Sequence, residues 1–353
     1  MKAIDMKILF VILFLLTGVH TIQPQSMRPI RDSIGLCWNA DEMNSFIEFL
    51  SKEAKPSQEY SSSNLIGGIS VHDDYLYAGK VYFPLFSKIK AKEVVIFGVT
   101  HGTVRKEIND PKNILILDEF DEWQGPYGTV AISPLRKLIK TKLPKQDYWV
   151  NNKAHSIEHS IEALIPFLQY YNRDVRITPI MVTQMPFERM EEVSDNLSKI
   201  ILDYIKTNNL TLGKDIFFLI SNDADHYGED FNNVPFGMDE GAHKKATDND
   251  RIIIKEDLTG EINPLKLQKL TTELWPDAEN KKPIPIWCGR YPIVFGLMTI
   301  SAVTNSIRGE LFQYSDTFTE KVLPIKTTSM GLTAVFSLKH WCGFFSLGIY
   351  SDQ

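Results

Sequence analysis

The sequence predicts one α/β domain built on a mixed, mainly parallel sheet flanked by helices, and three observations carry that expectation. Two apolar runs of strand length, Leu65 to Val71 and Val94 to Val99, enclose an apolar stretch long enough for a crossover helix, which makes a βαβ unit. Strand and helix signals then alternate towards the C-terminus without a Pro- or Gly-rich linker, the pattern of a single layered domain. Finally, His72, His101 and Cys288 each end or closely follow an apolar run, and open α/β sheets gather their chemistry at the carboxyl ends of strands.

In chain order, a polar, Pro-containing start reaches about Arg31, Asp41 to Lys52 reads as a short helix, and Glu53 to Asn64 as a Ser-rich loop. The strand Leu65 to Val71 leads into a helix over Leu76 to Ile89 and the strand Val94 to Val99. Further strands are expected at Ile114 to Leu117, Val175 to Val182 and Ile216 to Ile220. Pro186 opens a helix where its missing N–H does no harm, and Leu197, Ile200, Ile201 and Tyr204 fall on one face of it. Residues 237–263 are polar enough to read as a surface excursion, leading to a helix near Pro264 to Leu274. An apolar helix from Pro292 to about Thr304 and strands near Glu310 to Tyr314 and Leu332 to Leu338 would complete a domain spanning residues 30–353.

Composition excludes several classes. With 353 residues, 43% of them hydrophobic and 23% charged, the chain can bury a large core and is neither disordered nor fibrous. Net charge is −6 and no Lys/Arg block occurs, so the electrostatic footprint of a nucleic-acid binder is missing. Residues 1–25 read differently. Lys2 and Lys7 precede the short apolar run Ile8 to Leu16, which is followed by small and polar residues, as in a secretory signal or an uncleaved anchor. The expected location is therefore exported, whether secreted, periplasmic or anchored, with membrane contact through this segment alone. Cys37, Cys288 and Cys342 are too few for a disulfide framework, and a Cys37–Cys342 bridge stays open at this stage.

Two imidazoles and a thiolate make a transition-metal ligand set that leaves positions free for water or substrate. Around them stand His159 and Glu162, one helical turn apart if their segment is helical, and Asp223 and His226, a carboxylate and an imidazole at a strand end suited to proton transfer or to orienting bound species. Cys288 precedes a helix N-terminus and Arg290, which should favour its thiolate. Plainer roles exist for each piece: a structural histidine, a solvated helix face, an Asp-rich turn, an inert buried cysteine. A metal pair of His155 and His159 is a competing arrangement.

Five segments in this order resemble the Memo family (mediator of cell motility; also called AmmeMemoRadiSam system protein B). They are Val71-His72-Asp73-Asp74-Tyr75, Gly98-Val99-Thr100-His101-Gly102, Glu158-His159-Ser160-Ile161-Glu162-Ala163-Leu164-Ile165-Pro166-Phe167, Ser221-Asn222-Asp223-Ala224-Asp225-His226-Tyr227-Gly228 and Cys288-Gly289-Arg290-Tyr291-Pro292. Trp123 to Gly128 is a weaker sixth match. The resemblance implies a fold similar to class III extradiol dioxygenases and a metal on His72, His101 and Cys288, with Asp223, His226 and His159 beside it. The chain departs from the family pattern at Asp73-Asp74, Gly102 and Asp225, and extra carboxylates near the site would harden it towards Fe(II).

The expected function is a metal-dependent oxidoreductase acting on a small molecule or peptide, with Fe(II) as the cofactor and copper or zinc as alternatives. Asp223, His226 and His159 would move protons or orient bound species. Two rivals use the same crevice: a non-catalytic protein that binds a peptide or anion through Arg290, and a zinc-dependent hydrolase.

Overall fold

The structure, a computed structural model, describes residues 26–53, 64–276 and 284–351. The proposed export segment, residues 1–25, lies outside the described residues, as does most of the Ser-rich loop. Among the described residues no helix is long and apolar enough to cross a membrane.

Six strands form the centre of one large mixed sheet: β1 Leu65–Ser70, β2 Glu93–Gly98, β3 Arg176–Val182, β4 Ile216–Ser221, β5 Ile307–Asp316 and β6 His340–Ser351. Their spatial order is β3-β2-β4-β1-β6-β5. The first four run parallel, and β6 pairs antiparallel with both β1 and β5. Sequences such as Ile-Phe-Phe-Leu-Ile-Ser in β4 are buried along their whole length, because a parallel sheet covered on both faces needs continuous apolar strands rather than alternation.

Helices cover both faces and divide the core into two large clusters. On one side lie α1 Tyr75–Phe86, the crossover between β1 and β2, and the helix Ala40–Glu53. On the other lie α2 Phe187–Thr207 and α3 Arg290–Thr304. Helix α3 is apolar around nearly its whole circumference because it is packed between α2 and the sheet. Gly296 permits its close approach: a Cβ there would stand 2.7 Å from the Ile220 side chain in β4. This contact aims the N-terminus of α3, and Cys288 just before it, at the carboxyl end of β4.

Two segments depart from the sequence reading. Residues 237–263 contain a helix, Glu240–Ile253, whose buried side is made of small and polar residues, Ala242, Ala246, Thr247 and Asp250, with Ile253. Leu332 to Leu338 is not a strand. Thr333 N–H donates to Asp74 Oδ2 at 2.6 Å and Gly331 N–H to the Ile34 carbonyl at 2.7 Å, so this backbone is fastened to loops. The sheet takes His340–Ser351 instead.

Candidate metal site

The parallel register builds the site. Ser70 in β1 is aligned with Ser221 in β4, and two residues beyond each strand end stand His72 and Asp223, joined by His72 N–H to Asp223 Oδ1 at 2.8 Å. Strand β2 lies on the other side of β4 and leads to His101.

Second partners fix both imidazoles. Ser221 Oγ donates to the Ser160 carbonyl at 2.7 Å, so its hydrogen is committed and it accepts from His72 Nδ1 at 2.8 Å. His72 therefore carries its proton on Nδ1 and a lone pair on Nε2. Glu158 Oε1 lies 2.8 Å from His101 Nδ1 and also accepts the His159 and Ser160 N–H groups. Burial works against charge on Glu158, but the His101 imidazole, the nearby His159 ring and the His101 main-chain N–H outweigh it and hold its carboxyl well below the usual range. The same pair raises His101, against the opposing effect of burial. An ionised Glu158 requires the His101 Nδ1 proton and turns Nε2 towards His72.

The two Nε2 atoms are 3.4 Å apart, and Cys288 Sγ is 3.4 Å from His72 Nε2. All three donor atoms lie within 4.8 Å of one another. A tetrahedral ion with bonds of about 2.0–2.1 Å to nitrogen and about 2.3 Å to sulfur separates neighbouring donors by roughly 3.4–3.6 Å. The donor set and its spacing thus fit a transition metal.

The loop after β4 grips the cysteine segment. Asp223 N–H donates to Cys288 Sγ at 3.1 Å and Gly289 N–H to Asn222 Oδ1 at 2.9 Å. A Cβ on Gly289 would stand 2.5 Å from that oxygen, so glycine is required at this turn. The expected thiolate is corrected: burial pushes the Cys288 thiol well above its ordinary value and the Asp223 charge adds to this, outweighing the Asp223 main-chain N–H and Arg290, which oppose it. Without a cation the sulfur keeps its proton.

Around this trio, His159 stacks on His101 with centroids 4.7 Å apart, and His226 Nδ1 donates to the Ala224 carbonyl at 3.0 Å. Burial lowers both histidines to about 4, so both are neutral at pH 7. Asp223 Oδ2 lies 3.4 Å from His72 Nε2, and burial pushes its carboxyl up to about 7. Two further ligand-capable groups overlap the first: His101 with Glu158 and His159, and Cys288 with Asp223 and His226. All six expected site residues therefore meet in one crevice.

Other expected neighbours point elsewhere. Glu162 is in a buried ion pair with Arg28 at 2.6 Å and accepts the Arg31 and Asp32 N–H groups, so the partner of the histidines is Glu158, four residues earlier. His155 faces the Ile116 carbonyl and the edge of Trp123, which removes the His155/His159 pair. Of the extra carboxylates, Asp74 binds Thr333 and Asp225 binds Ile286 N–H and Asn233. Cys37 and Cys342 are buried and free.

A parallel-centred α/β sheet whose carboxyl edge collects four imidazoles, two carboxylates and a thiol defines a candidate metalloprotein. The model of the Memo-like protein family matches residues 36–323, well over half of the chain, which belongs to that family. A MEMO1 family protein of Saccharolobus solfataricus is 30% identical over 197 residues, 54% of this chain and 63% of its own. One of Aquifex aeolicus is 29% identical over 249 residues, 69% of this chain and 76% of its own. A third, from Methanosarcina barkeri, is 26% identical over 269 residues, 75% and 84% of the two chains. The match thus spans a little under two thirds of the first of these relatives.

Proposed function

We propose that this Memo-like protein holds a redox-active transition metal on His72, His101 and Cys288, with Fe(II) as the resident ion and copper or zinc as alternatives. The observation that carries this reading is the convergence of two Nε2 lone pairs and a sulfur, with His101 Nε2 and Cys288 Sγ each 3.4 Å from His72 Nε2 and all three within 4.8 Å of one another, each imidazole fixed from behind through Nδ1. Bound there, iron or copper supplies one-electron chemistry and dioxygen activation. The chain supplies the proton handling: Asp223, at about 7, holds or releases a proton at Oδ2, while neutral His226 and His159 accept one or orient what binds. We also infer export from residues 1–25.

The test is metal analysis of untagged protein purified anaerobically, alongside His72→Ala and His101→Ala. One ion per chain is expected in the parent and a small fraction of that in either variant. Full metal content in both variants rejects the assignment.

A second reading, ligand capture without turnover, has its own support. Arg290 Nε is buried with no hydrogen-bond partner among the described residues. Metal-dependent oxygen or peroxide consumption separates the two readings, and activity that survives anaerobically with zinc would favour hydrolysis.

A further inference from the structure

We propose that Asp225 is a positioning residue for the Cys288 sulfur, holding the segment Ile286–Cys288 against the end of β4. Its role in metal binding rests on the reading above. Asp225 Oδ1 accepts the Ile286 N–H at 2.8 Å and Asn233 Nδ2 at 2.8 Å. The backbone of Asp225 forms an antiparallel bridge with Trp287, and the neighbouring His226 N–H donates to the Ile286 carbonyl at 3.1 Å. Beyond the cysteine, Asn222 takes the Gly289 N–H. Asn222, Asp223, Asp225 and the His226 N–H therefore clamp the cysteine segment on both sides, with Asp223 N–H on the sulfur itself.

Asp250 completes the clamp from the helix Glu240–Ile253. Its Oδ1 accepts Trp287 Nε1 at 2.7 Å, and its Oδ2 accepts the Tyr314 hydroxyl at 2.8 Å and the Asp225 N–H at 3.2 Å. Two buried carboxylates thus hold adjacent residues, one through the main chain of Ile286 and one through the indole of Trp287. Asp225 is 2% exposed, so removing its carboxylate leaves two donors without a partner in a place water scarcely reaches. The segment then loses the constraint that sets Sγ 3.4 Å from His72 Nε2.

The test uses Co(II) as the probe, read by its sulfur-to-cobalt charge-transfer absorption, on the full chain. Asp225→Ala should weaken Co(II) binding by about 10- to 100-fold, as loss of a group that orients a ligand does, and shift or erase the charge-transfer band. Asp225→Ser serves if the alanine variant does not fold. Asp225→Asn keeps the Oδ1 acceptor and should bind Co(II) close to the parent. Asp147→Asn, at a buried carboxylate held by Arg189 and Asn196, should lower the melting temperature without altering the cobalt spectrum. In the metal-free protein, Cys288 of Asp225→Ala should alkylate several-fold faster with iodoacetamide. Unchanged cobalt affinity and spectrum in Asp225→Ala overturn the proposal, as does an asparagine variant as impaired as alanine. If the parent itself binds no Co(II), the metal reading fails, and the alkylation rate alone decides whether Asp225 positions the sulfur.

Discussion

Ser221 Oγ and His72 Nδ1 stand 2.8 Å apart, and the serine hydrogen is already given to the Ser160 carbonyl, so this hydroxyl decides which nitrogen of His72 faces the crevice. Ser221→Ala removes that constraint and leaves Nδ1 unpaired beside a fully buried strand end. Metal affinity should fall by about 10- to 100-fold. Stability should drop by about 1–3 kcal/mol. Isothermal titration with Co(II) and urea unfolding of the metal-free protein measure the two separately, and an unchanged affinity refutes the tautomer argument.

Proton release should report the state of the ligands. Burial keeps the proton on Cys288 in the absence of metal, and Glu158 raises His101, so binding should displace the thiol proton at all working pH values and a second proton below the raised pKa of His101. Calorimetry in buffers of different ionisation enthalpy should count about two protons at low pH and about one at high pH.

The same pair links metal-free stability to pH. Folded Glu158 titrates below its ordinary range, so its contribution is complete above about pH 4.5 and is lost as the pH falls through the folded value. Folded His101 is raised, so its contribution is complete below about pH 6.5 and is lost as the pH rises through the folded value. The pair therefore stabilises most between roughly pH 4.5 and 6.5. Glu158→Gln should flatten both limbs in denaturation measured from pH 3 to 9, and a profile identical to the parent would remove Glu158 from this role.

The parallel strands are legible in the sequence because each is a continuous apolar run, and the metal residues because each follows such a run or precedes an apolar helix. What escapes is held by distant contacts. Glu158 meets His101 across 57 residues and Ser221 meets His72 across 149, and no local pattern announces either. The helix Glu240–Ile253 hides because it buries alanines and Asp250 where larger apolar residues would have marked a helical face. Strand β6 is interrupted by Gly343 and Gly348, which weaken a strand signal. Their reason is tertiary: a Cβ at Gly343 would stand 2.8 Å from Asp250 Oδ2, and one at Gly348 would stand 2.5 Å from the Phe312 ring.

Glu162 should behave as a structural residue despite its place beside the site. Its ion pair with Arg28 has both side chains almost wholly buried, and Arg28 also donates to the His155 and Glu158 carbonyls. Glu162→Ala leaves a buried guanidinium uncompensated and should cost about 3–5 kcal/mol in urea unfolding. Its cobalt affinity at a temperature where it is folded should match the parent. A large loss of affinity without a loss of stability would return Glu162 to the site.

Cys288→Ser and His226→Ala should separate holding the metal from using it. Serine keeps the shape of the turn but offers a neutral hydroxyl in place of a thiolate, so metal content should collapse while the melting temperature of the metal-free protein barely moves. His226 is neutral, is anchored through Nδ1 to the Ala224 carbonyl, and brings a ring nitrogen within 4.8 Å of ligand atoms of Asp223 and Cys288. If it handles protons or orients bound species, its alanine variant should retain the metal and lose turnover by about 10²–10⁴. Metal content and oxygen or peroxide consumption are measured in parallel for both. His226→Ala losing its metal as completely as Cys288→Ser would make His226 a ligand, in line with its place in the group with Asp223 and Cys288. Unchanged metal content in both variants would put the ion elsewhere and leave the crevice to ligand capture through Arg290.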